Sequence, residues 1–556
     1  MPKPPKRFSL ELLLLSAIAI AVLLRIINLG SREFWYDEVL SLLLCTGQKI
    51  AYKSPPDFPV VLADYTPLLS LPVENGIGDI LKTLASLLRG LAGEPHPPLF
   101  FLGQHLWLRI FGNGEAAMRS LEALYSVGAI ACAYGLGRCL LRHRGGLMFA
   151  ALLGINNYYL FHSLNVRMYS PLVFWIVLSA WAALQLIETN KSTNSPNYKL
   201  KILWTIILIT SITGGLMSFY LFVYYLVALA VLVVFLDRQR WWQYGLCLSA
   251  GVLITIPWVL WGTRQQLRNA DFGRFSASTN FLATSWRHLE DVLQTLGIHL
   301  ILGDWISSLP PVSATIAGVV AVALLLGCSI SLWRQKQRRL LAVALLLGIF
   351  PLLLALGVDF VKNQFTLGFG WGRSMILILP GCLLLLVVWL ERGAGKWQKL
   401  AIVALLLLYL SISITDLYTR PRWMFHQIAD IIEQEPTKPT LIAMNSRAWG
   451  HVMRLAYYLP PTSPVMLIAR NSADLATTLD KTLSAETNTY PRLIWLDSAR
   501  PVWSAPKTEA KKIQFQQEIK TVINSRYQLQ KTEKLSGTME LDKFNVHIYE
   551  LSDSLK

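Results

Sequence analysis

Up to about residue 419 the chain alternates long apolar stretches with short polar connectors. A helix needs about 20 mostly apolar residues to cross a bilayer. By that rule about eleven segments qualify, centred on 9–29, 119–141, 147–163, 170–187, 201–218, 219–236, 243–262, 312–333, 340–358, 374–391 and 399–417. Beyond residue 419 no run of that length recurs, and 32 of the 85 charged residues fall in this tail. Its short apolar runs Thr440–Met444, Arg492–Leu496 and Asn545–Tyr549 read as strands, and Lys511–Ile523 as a helix. The expectation is an all-α polytopic membrane domain over 1–419 and a small extracytoplasmic α/β domain over 420–556. Two large extracytoplasmic loops, 31–118 and 263–311, interrupt the spans. In the first, Asp79–Leu91 has apolar residues at 80, 81, 84, 87, 88 and 91, the spacing of a helix with one greasy face. Asp79 is placed to cap its start, and Gly90 or Gly93 its end. Pro97–Phe111 reads as a second helix with proline in its first turn. Both are expected to lie along the membrane surface.

Composition narrows the class. Charged residues make up 15% of the chain and hydrophobic ones 53%, against about a quarter charged in soluble domains, so a purely soluble protein is excluded. The net charge of +17 first suggests nucleic acid, but its distribution says otherwise. With the N-terminus cytoplasmic and Pro97–Phe111 not crossing, the inner connectors hold 17 Lys and Arg, and the short outer loops 164–169 and 359–373 hold 3. That is the bias of the positive-inside rule, and it calls for no nucleic-acid partner. The first span, behind Lys3, Lys6 and Arg7, reads as a signal anchor with too long an apolar run for a cleaved leader. The expected location is the plasma (inner) membrane, with the C-terminal domain outside. Of the six cysteines all but Cys45 sit in apolar runs, as small hydrophobes do.

Four short segments carry candidate chemistry. Phe34-Trp35-Tyr36-Asp37-Glu38 follows the first span, with aromatics suited to the headgroup level. One of its carboxylates can take a proton from a hydroxyl while the other orients a substrate. The plainer reading is an acidic helix start favoured by the helix dipole. His96-Pro97-Pro98-Leu99 holds its histidine out of any helix, although a helix-start sequence looks the same. Asn165-Val166-Arg167-Met168-Tyr169 brings a cation and a phenol to the outer surface. Trp371-Gly372-Arg373 opens the tenth span with an arginine that suits an anionic headgroup or a simple interfacial anchor. The loop 263–311 adds Arg264, Arg268, Arg274 and Arg287, balanced by Asp271, Glu290, Asp291 and Asp304. No dinucleotide, P-loop, HExxH or GxSxG motif appears in a supporting context.

In order, these segments with Trp107-Leu108-Arg109-Ile110-Phe111-Gly112 and Arg119 resemble the GT-C class of integral-membrane glycosyltransferases. They are most similar to bacterial relatives of the protein O-mannosyltransferases (family 39) and of the lipid A aminoarabinose transferase. The resemblance spans about residues 1–420 and is specific over the first 190. It implies that Asp37 is the catalytic acid–base residue and Glu38 its partner. It implies that His96 belongs to the HPP motif and that Arg373 lies near the donor phosphate. Tyr36, Arg119, Asn165, Arg167 and Tyr169 complete the substrate-binding set. Relatives often carry an acidic residue where Asn165 stands, and a neutral amide is a poorer metal ligand than a carboxylate. A divalent metal therefore stays open, and no cofactor is implied with certainty.

The function expected is an inverting transfer of a sugar from a polyprenyl-phosphate carrier to an extracytoplasmic acceptor. That acceptor is a glycolipid, an envelope polymer or a protein hydroxyl. Membrane lipids are the remaining partners. The alternative is a lipid or polysaccharide transporter, which calls for paired broken spans in two related halves; a non-catalytic scaffold ranks third.

Overall fold

The computed structural model describes residues 9–191, 198–269, 275–276, 280–485, 489–502, 505–506, 508–539 and 541–552. Lys3, Lys6 and Arg7 of the basic start, and Asp271 and Arg274 of the second loop, lie outside the described residues. Packing divides the chain into two units. One comprises 1–29, 91–103 and 119–419; the other comprises 30–90, 104–118 and 420–556.

The first unit is helical. Among the described residues eight helices are long and apolar enough to cross a membrane, or nine with the bent pair Arg338–Leu347 and Ile349–Lys362. Each of the eleven apolar stretches read from the sequence is helical over most of its length. The counts differ for identifiable reasons. The stretches at 119–141 and 147–163 fall largely within Glu115–Ile155, which turns back at Arg142 (φ 66°). Gly146 then meets Tyr134, and Gly154 meets Ile130, as two antiparallel arms require. Phe222–Leu236 is apolar but only 15 residues long. The bend of 44° at Gly348 has a packing cause. The backbones of Gly348 and Gly381 press together with no room for a Cβ on either, a close approach that small residues permit between membrane helices.

The most enclosed span is Phe369–Arg392, with 89% of its apolar window buried; it begins with the Arg373 segment. The span Leu10–Ile27 carries an arginine that the sequence reading passed over. Arg25 is fully buried and donates to Ser126 Oγ (2.7 Å), Ala21 O (2.8 Å) and Gly154 O (2.7 Å). It also faces the Tyr159 ring. Charges at membrane depth persist where they are paired inside the bundle, and this one ties the first span to both arms of the hairpin.

The second unit is built on one six-stranded sheet among the described residues. Its strands are β1 (Val60–Val61), β2 (Thr440–Met444), β3 (Val465–Ala469), β4 (Arg492–Ser498), β5 (Tyr527–Ser536) and β6 (Lys543–Leu551). The order is β1-β3-β2-β4-β6-β5. The central β3, β2 and β4 are parallel, with Thr440 opposite both Val465 and Arg492, and every residue of β2 and β4 is buried. Strands covered on both faces read as continuous apolar runs, which is why these two were legible. β5 was not foreseen. It is an edge strand exposed along most of its length, and its Lys531, Glu533 and Lys534 discourage pairing with another chain. The helix expected at Lys511–Ile523 runs Glu509–Asn524.

The sequence reading counted 31–118 with the membrane domain. In the structure most of this loop packs with the tail. β1 pairs antiparallel with β3, and Thr66 Oγ1 donates to Ala456 O at 2.9 Å. The amphipathic helix runs Ile77–Leu91, two residues earlier than expected. Asp79 therefore sits in its first turn, accepting from Asn75 N at 3.2 Å.

Candidate active site

The residues singled out by sequence fall into two groups. Tyr36, Asp37 and Glu38 belong to the second unit, while His96, Arg119, Asn165, Arg167, Tyr169 and Arg373 belong to the first.

In the second unit Tyr36–Cys45 is a helix, and Glu38 closes its start. The Glu38 carboxylate accepts from Trp35 N at 3.1 Å, and Glu38 N donates back to Trp35 O at 3.0 Å. The carboxylate is fully buried, so the acidic-helix-start reading accounts for Glu38. Asp37, beside it, is half-buried and so the more exposed carboxylate of the pair. Tyr36 is buried edge-on to His451 at 5.4 Å between ring centroids.

The tail holds this segment in place. Phe34 N donates to Tyr458 Oη at 2.5 Å, and Glu33 N to Arg422 O at 3.3 Å. The fully buried Glu33 carboxylate accepts from Phe425 N (2.8 Å) and from the Arg454 guanidinium (3.1 Å). Arg454 also donates to Asp542 at 2.5 Å and lies over the Phe425 ring at 4.2 Å. Neither Glu33 nor Arg454 stood out in the sequence, because their partners are hundreds of positions away.

In the first unit, the Arg167 guanidinium donates to His96 Nε2 at 3.1 Å, so two of the four motifs meet. Gln266 clamps the histidine loop by donating to the carbonyls of His96 and Leu91, each at 2.8 Å. Gln266 is in turn aimed by Tyr220, whose hydroxyl donates to its Oε1 at 2.5 Å and accepts from Trp258 Nε1 at 2.9 Å.

A chain of rings joins the other motifs. Asn165 Nδ2 lies 3.3 Å from His162 Nδ1, and Tyr169 stands edge-on to the same imidazole at 4.7 Å. His162 packs on Tyr158 at 4.4 Å, and Tyr158 stacks on His299 at 4.4 Å. His299 Nε2 is 3.0 Å from Gly372 O, the donor geometry of an Nε2–H tautomer. Burial pushes the His299 imidazole down to about 3, so it is neutral. Asn156 and Asn157 fasten the same strip by donating to the carbonyls of His299 and Ile301.

Gly370, Trp371 and Gly372 all have positive φ, at 57°, 60° and 73°. This left-handed turn delivers Arg373, whose guanidinium lies 5.2 Å from the Phe369 ring centre. Successive backbone N–H groups in such turns form concavities that favour anions. Arg119 has a different place. It is fully buried and donates to Leu29 O at 3.1 Å, tying off the first span. His162, Tyr158, His299 and Gln266 were missed by sequence reading. For Tyr158 and His162 the only signal was the density of Asn, Tyr and His over 156–162 at the end of an apolar run; His299 and Gln266 had none.

Among the described residues no group of three or more His, Cys, Asp or Glu side chains is placed to hold a metal ion. The six cysteines form no disulfide.

Within the multi-pass helical unit the HPP, NVRMY and WGR segments are thus brought together through Arg167, His162, Tyr158 and His299. Residues 95–261 match the profile of the dolichyl-phosphate-mannose-protein mannosyltransferase family, which bears out the family resemblance read from the sequence. No curated protein sequence matches the chain. Among solved structures the chain is similar to ArnT from Cupriavidus metallidurans in the apo state, at 12% identity and a TM-score of 0.42, over 98% of each chain. The same protein bound to undecaprenyl phosphate aligns at 12% identity and 0.40, over 98% of this chain and 99% of that one. The oligosaccharyltransferase of Archaeoglobus fulgidus with zinc and sulfate aligns at 12% identity and 0.43, over 96% of this chain and 73% of that one. These likenesses are distant.

Proposed function

We propose that the protein transfers a sugar from a polyprenyl-phosphate carrier to a hydroxyl of an extracytoplasmic acceptor, with inversion at the anomeric carbon. The observation that carries this reading is the convergence of the histidine, arginine and glycine-arginine motifs through His162, Tyr158 and His299. A buried strip of rings ending in Arg373 suits a lipid phosphate: the guanidinium answers its charge, and the rings exclude water that would otherwise compete. The Arg167–His96 pair adds a second guanidinium, held by an imidazole.

In the step proposed, Asp37 accepts the proton of the acceptor hydroxyl as its oxygen bonds to the anomeric carbon. The bond from that carbon to the phosphate oxygen breaks, and its electron pair leaves with the carrier phosphate, stabilised by Arg373. Glu38 acts as a positioning residue through its cap on Trp35. The reading includes an N-terminus in the cytoplasm of the plasma membrane and an extracytoplasmic Asp37. A transporter would ask for paired broken spans in related halves, and the described residues contain one bent pair.

Asp37→Asn tests the step. Asparagine keeps shape and hydrogen bonding but takes no proton at neutral pH. A positioned base contributes typically about 10²–10⁴-fold, so transfer from a defined polyprenyl-phosphate sugar should fall by that order with carrier binding intact. Glu38→Gln should be milder. Turnover of Asp37→Asn near the parent rate would rule out the mechanism.

A further inference from the structure

The second unit contains a cavity of about 350 Å³ that the step above does not use. Its walls come from Lys49 and Tyr52, from Arg447 and Trp449 at the start of the helix Trp449–Tyr458, and from Asn471. The rings of Tyr52 and Trp449 stand 6.2 Å apart, inclined at 53°. The Lys49 ammonium lies over the Trp449 ring, 4.8 Å from its centre. Arg447 supplies a second cation and Asn471 an amide, and no acidic side chain is among the described lining residues. All five of these side chains are only partly buried, so they face an accessible space.

Each part has a chemical counterpart in one kind of ligand. Aromatic faces take the C–H face of a sugar ring, an amide pairs with its hydroxyls, and two cations take an anionic substituent by charge-assisted hydrogen bonds. A solvated surface cluster would instead mix acidic with basic groups, as the exposed helix Glu509–Asn524 does.

The cavity wall is also continuous with the Asp37 segment. Trp449 and Val502 pack against the buried cluster of Trp35, Tyr36 and Ala448. Gly450 lies so close to Tyr36 that an added Cβ would come within 2.6 Å of its ring.

We propose that this cavity is an acceptor subsite that binds a sugar ring bearing a phosphate or carboxylate. Its bound sugar holds a hydroxyl of the same acceptor for the Asp37 segment. The acceptor role rests on the transferase reading; the binding itself does not.

The test uses the purified full-length protein in detergent and saturation-transfer NMR. The probes are glucose 6-phosphate, glucose and inorganic phosphate at millimolar concentration. Glucose 6-phosphate should bind in preference to both others. Arg447→Gln combined with Lys49→Gln should weaken it about tenfold and erase the preference over glucose, with the melting temperature unchanged. Trp449→Phe, which keeps an aromatic face, should retain part of the binding. No binding of glucose 6-phosphate by the parent, or parent-like binding by the double variant, would overturn the subsite. Inorganic phosphate binding as well as the sugar phosphate would overturn the sugar half of the proposal. Carrier binding is measured on the same samples. A parent that binds glucose 6-phosphate but no polyprenyl phosphate would sink the transferase reading and leave the sugar site standing.

Discussion

Arg454 is a guanidinium taken out of water between Glu33 and Asp542, with all three side chains fully buried. Removing one partner of such a set leaves charges buried without compensation, which costs about 3–5 kcal/mol. Arg454→Met, which conserves apolar bulk, should therefore lower the melting temperature of the purified protein clearly. It should also reduce transfer, because Glu33 anchors the segment that carries Asp37. A thermal unfolding scan and a transfer assay on one preparation check both; an unchanged melting temperature would mean the triad is dispensable. At this scale the sequence was half legible. Asp37 and Glu38 looked alike as neighbouring carboxylates. Their division of labour follows from the helix start, because the third residue of the first turn reaches back to the cap and the second does not. Glu33, only four positions upstream, was unreadable because nothing local marks a carboxylate whose partners are Phe425 and Arg454.

The turn before Arg373 shows the same contrast at the scale of an element. Three consecutive left-handed residues are costly unless glycine supplies them, and Gly370 and Gly372 do. At Gly372 an added Cβ would lie 2.6 Å from Thr295 Oγ1 as well as demanding φ 73°. Gly372→Ala should displace Arg373 and weaken binding of a polyprenyl-phosphate probe, while Trp371→Gly relieves a positive φ and should leave the fold intact. Measured carrier affinity and melting temperature for the two variants decide this. Equal affinity for Gly372→Ala and the parent would show that the turn does not position the arginine. The WGR motif was visible in the sequence as an arginine at a helix end. Its left-handed geometry was not, since a glycine pair is equally at home in an ordinary turn. The helix expected over Pro97–Phe111 forms, but it runs Leu99–Phe111, so both prolines precede its first turn instead of lying in it. Its upstream histidine loop, by contrast, is held by Gln266, a residue from a distant loop with no local signature.

For the whole molecule the charge bias remains the guide to orientation. A cysteine at Gln335, in an exposed connector expected to face the cytoplasm, should be shielded from an impermeant thiol reagent in intact cells. Ser498 would be the natural outer position by sequence, but it is 1% exposed within β4. The neighbouring Ala499 is exposed and should be labelled. Labelling of Gln335→Cys with protection of Ala499→Cys would invert the orientation and put Asp37 on the wrong face for this chemistry. Replacing the partly exposed Cys139 and Cys247 by serine removes background.

The sequence by itself determined the membrane character, the helical stretches and the change to an α/β tail at residue 420. Span length and strand period are local properties, and burial in lipid or in a sheet leaves a regular apolar trace. It also marked the candidate motifs, since Asp, His and Arg at membrane depth are costly enough to stand out. Only the tertiary structure decided that the first loop packs with the tail and that β1 closes the sheet against β3. It alone joined His96 to Arg167 and ran a ring chain through His162, Tyr158 and His299 to Gly372. Those contacts depend on side chains meeting across hundreds of residues. A residue's own neighbours in the chain carry no record of them, because a hydrogen bond is satisfied equally well by a near or a distant partner.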